Sequence, residues 1–288
     1  MSEQMTAVPN ATNAGTITIG GDLTVNRLGF GAMRITGKGI WGEPRDLGEA
    51  RAVLRRAVEG GVTFIDTADS YGPYVSEQLI GEALHPYPED LVIATKGGLE
   101  RPGPDVWTNN GRPEHLREAC EGSLRRLKLE QIPLYQWHRP DPGVPLEDSV
   151  GALVELQRQG KIKHIGVSNV NIDQLERIAA IAPVVSVQNR YNAAFRAGES
   201  MLDYCAAHGM AFIPWAPMQD IERAPAVAEI AQRHGATTHQ IMLAYLLAKS
   251  PAMLPIPGTG SVEHLDENLG AASIQLSPED MDALSAAA

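Results

Sequence analysis

The stretches EGGVTFID (59–66), RQGKIKHIG (158–166) and AHGMAFIP (207–214) decide the fold. Each has the same parts in the same order: the end of an amphipathic run, a glycine, a short turn, and an apolar stretch. Glycine after a helix can take the left-handed backbone that stops it, and Gly60-Gly61, Gly160 and Gly209 stand at such positions. A short, unbroken apolar run suits a parallel strand buried on both faces. Extended outward, the pattern predicts strands near 27–33, 63–66, 91–95, 134–138, 164–168, 184–188, 211–215 and 253–257. Helical runs follow at 46–60, 75–84, 113–128, 146–159, 171–180, 199–208, 225–234 and 261–271, with Asp46 and Ser261 as N-caps. Eight alternating strand–helix units predict an α/β chain that closes into a parallel (β/α)8 barrel.

Two pieces fall outside that rhythm. TITIGGDLTV (16–25) alternates about Gly20-Gly21-Asp22 and reads as a β-hairpin. The stretch 238–249 reads as an extra helix before the eighth strand. Residues 1–15 are polar and read as a loose tail, without the basic-then-apolar layout of a signal peptide. With no Gly/Ser/Pro-rich linker beyond them, 16–288 is expected to be one domain.

Hydrophobic residues make up 43% of the 288 and charged residues 20%, which excludes a disordered chain. The formal net charge of −11 makes general binding to nucleic acid or an anionic membrane a poor expectation. No apolar run reaches membrane-spanning length. Two cysteines, Cys120 and Cys205, are too few for a disulfide framework and have no zinc-motif partners, so no metal is expected and a reducing cytoplasm is the expected location.

Barrels of this kind carry their active sites where the strands end. The second predicted strand ends in Asp66, followed closely by Tyr71; the third ends in Lys96 and the fourth in His138. A phenol has an ordinary pKa of about 10 and is a poor acid at neutral pH. An ammonium beside it favours the phenolate, so Lys96, held in place by Asp66, is expected to make Tyr71 a proton donor. His138 is placed to hydrogen-bond a carbonyl oxygen as negative charge builds on it. The plainer alternative is a structural Asp66–Lys96 ion pair with Tyr71 and His138 as ordinary loop residues.

FIDTADSYG (64–72), ATKGG (94–98), LYQWHRPDP (134–142) and GKIKHIGVSN (160–169) closely resemble the signature blocks of the aldo-keto reductases, in the same order. The resemblance implies a barrel whose bottom is closed by an N-terminal hairpin, and reduction of small-molecule aldehydes and ketones with NADPH, less often NADH. It implies Tyr71 as proton donor, Asp66 and Lys96 as its tuning pair, and His138 as substrate orienter. Gly31, Ala32 and Met33, ending the first strand, are expected to border the coenzyme together with Asp66. Ser168, Asn169 and Gln188 match residues that hold the nicotinamide carboxamide, and Tyr191 matches the aromatic that stacks on its ring. Without that context, Ser168-Asn169 reads as a helix cap before 171–180. Trp215, Ala216, Pro217 and Met218 match the pyrophosphate cradle.

Gly258, Thr259, Gly260 and Ser261 open a helix whose free amides suit a phosphate. Glu267 and Asn268 match adenine contacts. NADPH-preferring relatives usually carry Lys or Arg where this chain has Gly260, so the 2′-phosphate grip falls to Ser261, His264 and backbone amides. The whole-sequence likeness within the family is to pyridoxal reductases (pyridoxine dehydrogenases).

GKGIWG (37–42) mimics the dinucleotide fingerprint G-x-G-x-x-G, but that motif joins a strand directly to a helix, and here the helix waits until Asp46. Residues 34–45 read instead as a loop at the substrate mouth, with Trp41 and Arg139 as substrate contacts. GVSNV is not a hydrolase elbow, and His234 and His239 read as surface residues. Two rival functions are a non-catalytic nicotinamide-binding regulatory barrel and a Schiff-base lyase with Lys96 as nucleophile.

Overall fold

The computed structural model describes residues 9–219 and 226–286. The hairpin comes first, β1 (Thr16–Ile19) and β2 (Leu23–Asn26), paired antiparallel from Thr16 opposite Asn26 to Ile19 opposite Leu23. Seven parallel strands follow: β3 (Phe30–Gly31), β4 (Phe64–Asp66), β5 (Val92–Gly97), β8 (Ile132–Trp137), β9 (Ile162–Ser168), β10 (Val184–Arg190) and β11 (Ala211–Trp215). They lie side by side in the order β11-β10-β9-β8-β5-β4-β3. The helices α1 (Leu47–Glu59), α2 (Val75–Ala83), α3 (Pro113–Leu127), α4 (Leu146–Arg158), α5 (Ile172–Ala179), α6 (Glu199–Ala207), α7 (Ala226–His234), α8 (Thr238–Lys249) and α9 (Val262–Gly270) match the expected runs to within a residue or two. Position 225, which opens the expected seventh run, lies outside the described residues.

The eighth expected strand, 253–257, forms no regular ladder. Pro255 and Pro257 have no N–H to donate, which removes alternate rungs. The segment still closes the sheet. Gly29 donates its amide to Pro255 O at 2.9 Å and Gly31 to Pro257 O at 3.3 Å, while Leu254 donates to Phe212 O on the other side at 2.9 Å.

Side chains alternate along the strands, and that alternation builds the interior. Phe64, Val92, Ala94, Leu134, Ala211, Ile213, Leu254 and Ile256 point inward, where Ile19, Leu23 and Val25 of the hairpin join them. The hairpin thus plugs the end where the strands begin, and Asp22 at its tip is tied to Lys163 and His164. Their neighbours Ile65 and Ile93 face α1, α2 and α9, whereas Tyr135, Ile165 and Val187 face the helices of the other half.

Some of the chain departs from expectation. The start of the chain is not loose over 11–14. A 3-10 turn, Ala11–Ala14, is capped by Asn10, and Ala11 is fully buried with its amide on Gly60 O at 2.8 Å. Residues 1–8 of that tail lie outside the described residues. Gly61, Gly160 and Gly209 take positive φ as expected, but Gly60 does not, at −80°. A second hairpin, β6 (Leu99–Gly103) with β7 (Val106–Asn109), and a C-terminal helix, α10 (Pro278–Ala286), are additions. His234 is not a plain surface residue: its Nε2 sits 2.9 Å from Asp280 Oδ2 and ties α7 to α10.

At the closure, a Cβ on Gly31 would lie 2.6 Å from Ile256 O, a backbone atom that cannot swing away. Gly31→Ala is therefore expected to cost about 1–3 kcal/mol, read as a lower urea midpoint. An unchanged midpoint would mean that the seam is not tightly closed there.

Candidate active site

The inward alternation that packs the barrel floor carries polar groups where the strands end. Phe64 is followed two residues on by Asp66, Val92 and Ala94 by Lys96, and Leu134 by Gln136 and His138. Lys96 is fully buried, yet its ammonium has three partners for three protons. Nζ lies 2.5 Å from Asp66 Oδ2, 2.8 Å from Thr67 O and 3.4 Å from Tyr71 Oη. The other carboxylate oxygen, Asp66 Oδ1, accepts from Gln136 Nε2 at 2.9 Å and Gln188 Nε2 at 2.8 Å. A buried ion pair persists only when its remaining hydrogen bonds are met, and these are. Sequence reasoning did not single out Gln136; its place two residues before His138, facing inward, was the available signal.

Burial works to lower the Lys96 pKa, but Asp66 and Tyr71 outweigh it and hold the ammonium above its ordinary value. A Schiff-base nucleophile must be a free amine, so this setting disfavours the lyase chemistry. For Tyr71 the balance differs from the sequence expectation. Burial raises its pKa more than Lys96 lowers it, and Asp66 adds to the rise. Tyr71 is thus held protonated at neutral pH rather than made acidic at rest. Lys96 acts on the phenolate, by offsetting the cost of forming that anion in a dry site. His138 is pushed well below its usual range by burial, with Lys96 and Arg139 adding to the effect, so it is neutral at pH 7.

A cavity of about 490 Å³ opens above this cluster, a size that suits a small-molecule ligand. Asp66, Tyr71, His138 and Arg139 line it, as do Gly31, Met33, Ser168, Asn169, Gln188, Trp215, Ala216, Pro217, Met218 and Gly258. Lys96 lies beneath, covered by Tyr71. Ala32 is buried, its carbonyl occupied by Ser76 Oγ at 2.9 Å. Thr259, Gly260, Ser261, His264, Glu267 and Asn268 are on the loop after Gly258 and on α9, outside the lining.

Several expected roles change. Tyr191 is not at the cavity. It follows β10 on the outward-facing side, is fully buried, and packs edge-on against Phe212 at 5.9 Å between ring centres. The aromatic wall is Trp215, whose Nε1 donates to Asn169 Oδ1 at 3.2 Å. The amide of Asn169 donates to His138 O and Ser168 Oγ, both at 3.0 Å, and Ser168 Oγ donates to Gln188 O at 2.7 Å. These residues brace the strand ends against one another. The cap of α5 is Asn171, in a capping box with Gln174.

The substrate-side wall was not legible either. Trp107, on β7, lines the cavity and meets Tyr71 and His138 edge-on at 6.3 and 6.4 Å. Arg101 holds it there, with its guanidinium 3.6 Å from the Trp107 ring centre. The same group donates to the carbonyls of Gly39, Ile40, Ser70 and Val106, which stitches three loops together. Trp41 is not among the lining residues; it sits on the far side of this knot, 5.8 Å from the Arg101 guanidinium. The turn cluster Arg101-Pro102-Gly103-Pro104-Asp105 was the signal for the hairpin. Leu99, Gln219 and His239 also line the cavity, which the surface reading of His239 did not foresee.

A family model described as "Aldo/keto reductase family" matches residues 27–288. The chain belongs to the aldo/keto reductase family. It is 48% identical to an uncharacterized oxidoreductase of Schizosaccharomyces pombe over 273 residues, which is 94% of this chain and 89% of that protein. It is 42% identical to the pyridoxine 4-dehydrogenase of Escherichia coli, covering 92% and 95% of the two chains. Among solved structures, a thermostable aldo-keto reductase crystallised with the inhibitor epalrestat matches with a TM-score of 0.82 and 34% identity, over 95% of this chain and 99% of that one. An aldo-keto reductase from Klebsiella pneumoniae in complex with NADPH matches with a TM-score of 0.79 and 26% identity, over 93% of each chain.

One buried carboxyl beside the site is only partly compensated: the Ser70 amide, Arg126 and Lys96 favour its charge, but burial outweighs them. Asp69 is buried, its Oδ1 is without a hydrogen bond, and burial together with nearby Glu77 raises its pKa well above the usual value. A carboxyl with a raised folded-state pKa favours the fold at low pH and loses that contribution as pH rises. The stability of Asp69→Asn relative to the parent should therefore improve steadily between about pH 4 and pH 8 in urea titrations. A difference independent of pH would contradict the reading.

Proposed function

We propose that this chain is an NADPH-dependent carbonyl reductase, with NADH as a poorer coenzyme, in which Tyr71 protonates the carbonyl oxygen. The observation that carries the reading is the Tyr71 hydroxyl 3.4 Å from a buried, charged Lys96, at the floor of an aromatic-walled cavity. The wall chemistry suits a nicotinamide coenzyme. Trp215 offers a flat face, the side-chain amide oxygens of Asn169 and Gln188 keep capacity to accept, and Gly31 and Gly258 meet so closely that a Cβ on Gly258 would fall 2.5 Å from Gly31 O. When bound, the reduced nicotinamide supplies a hydride to the carbonyl carbon.

The chain's own residues handle the oxygen. As the carbonyl π pair moves onto oxygen, Tyr71 Oη transfers its proton there and becomes a phenolate facing Lys96 Nζ. Its high resting pKa keeps the proton in place until that moment, and the ammonium then stabilises the anion left behind. His138 assists as a neutral donor rather than as an acid. With Ser70 Oγ 3.4 Å from its Nδ1, a proton on Nε2 is the tautomer that serves the cavity. Arg139 and Trp107 border the substrate.

The substrate reading is pyridoxal, reduced to pyridoxine in a cytoplasmic setting. The 42% identity to a pyridoxine 4-dehydrogenase over nearly the full length supports it, and the Trp107 indole suits a flat heteroaromatic aldehyde. Tyr71→Phe should lower kcat by about 10²–10⁴-fold, followed as NADPH consumption, while the coenzyme dissociation constant stays within about threefold. Turnover near the parent's would reject Tyr71 as the donor. Equal rates with pyridoxal, nitrobenzaldehyde and methylglyoxal would reject the pyridoxal refinement.

A further inference from the structure

The chain lacks a basic side chain on the Gly258–Ser261 loop, and the start of α9 does not make up for it. The Val262 amide donates to Glu49 Oε1 at 2.9 Å, the Ser261 amide to Thr259 Oγ1 at 3.1 Å, and the His264 amide to the Ser261 cap at 3.5 Å. The first turn of α9 thus has much of its donor capacity spent, and it faces a carboxylate. His264 is the one titratable basic side chain in that turn, so a fixed positive charge for a phosphate there has to come from another element.

Arg34 is placed to supply one. It lies in the 3-10 turn Ala32–Ile35 that follows β3, and it lines the cavity. Its stem runs along the glycine loop. A Cβ on Gly258 would lie 3.6 Å from Arg34 Cγ, and one on Gly260 would lie 3.1 Å from Arg34 O. The Arg34 side chain is thus in contact range of position 258, and its backbone borders position 260. Among the described residues the Arg34 guanidinium has no acidic or carbonyl partner, whereas Arg27, Arg56, Arg101 and Arg126 are all engaged. The other arginine of the cavity, Arg139, sits at the end of β8 on the Trp107 side. Arg34 sits between β4 and the segment 253–257, on the side of Trp215 and Gly258.

We propose that Arg34 grips the 2′-phosphate of NADP(H), replacing in space a basic residue absent from positions 258–261. Selection of NADP(H) over NAD(H) is then set by the turn after the first barrel strand, with the guanidinium fork pairing the phosphate oxygens. This rests on the nicotinamide-coenzyme reading above. The test measures binding, not turnover: dissociation constants for NADP⁺ and NAD⁺ by quenching of protein fluorescence, in the parent, Arg34→Gln and Arg34→Lys. Arg34→Gln should weaken NADP⁺ by about tenfold to a hundredfold and NAD⁺ by less than about threefold, with Arg34→Lys in between. If the parent prefers NADP⁺ and Arg34→Gln keeps that preference, Arg34 is not the grip and the coenzyme reading stands. Equal losses for both coenzymes would place Arg34 on a phosphate common to the two and overturn the assignment. A parent that binds neither, or binds NAD⁺ at least as tightly, would reject the NADPH reading and this inference together.

Discussion

The site depends on one buried ion pair, Asp66 with Lys96. Taking both charges out of water is costly, and the pair persists because every polar atom in it is answered. Gln136 and Gln188 donate to the carboxylate, and Thr67 and Tyr71 use the remaining ammonium protons. Five segments therefore converge on one charge pair: β4, β5, β8, β10 and the loop that carries Tyr71. Losing Asp66 or Lys96 would leave an uncompensated charge in the interior, and losing any of the other partners would leave one of its polar atoms unanswered.

Strand alternation explains why the constraint falls where it does. On β4, β5 and β8 the inward positions run apolar, then polar, toward the strand end. The lower layer joins the β1–β2 hairpin in the core, and the upper layer becomes the floor of the cavity. This is why the helix-glycine-strand rhythm and the residues Asp66, Tyr71, Lys96 and His138 were both legible from sequence: each reports the same periodicity. The eighth strand was legible as an apolar run, but its prolines limited it to the few hydrogen bonds that close the sheet.

What was not legible depended on distance rather than pattern. Tyr191 and Trp215 are both aromatic residues near strand ends, and Trp215, two residues past the inward Ile213, is the one that faces the cavity. The role of Arg101 arises from four carbonyls on three loops, which no spacing rule encodes. The tyrosine's pKa was misjudged because the sequence names the neighbouring cation but not the burial. With the phenol nearly enclosed, desolvation exceeds the pull of the ammonium. The consequence is favourable for an acid, since a proton held firmly at rest is available when the oxygen beside it becomes basic.

The most direct measurement of this account is the ionisation of Tyr71 itself. Tyrosine labelled with ¹³C at Cζ, followed by NMR through an alkaline titration, reports that one phenol once a Tyr71→Phe sample has assigned its signal. The account predicts a midpoint above the ordinary tyrosine value in the parent, and one higher still, or no titration within the folded range, in Lys96→Met. A midpoint that stays the same or falls when Lys96 is removed would show that the ammonium does not stabilise the phenolate, and the chemistry built on it would fail.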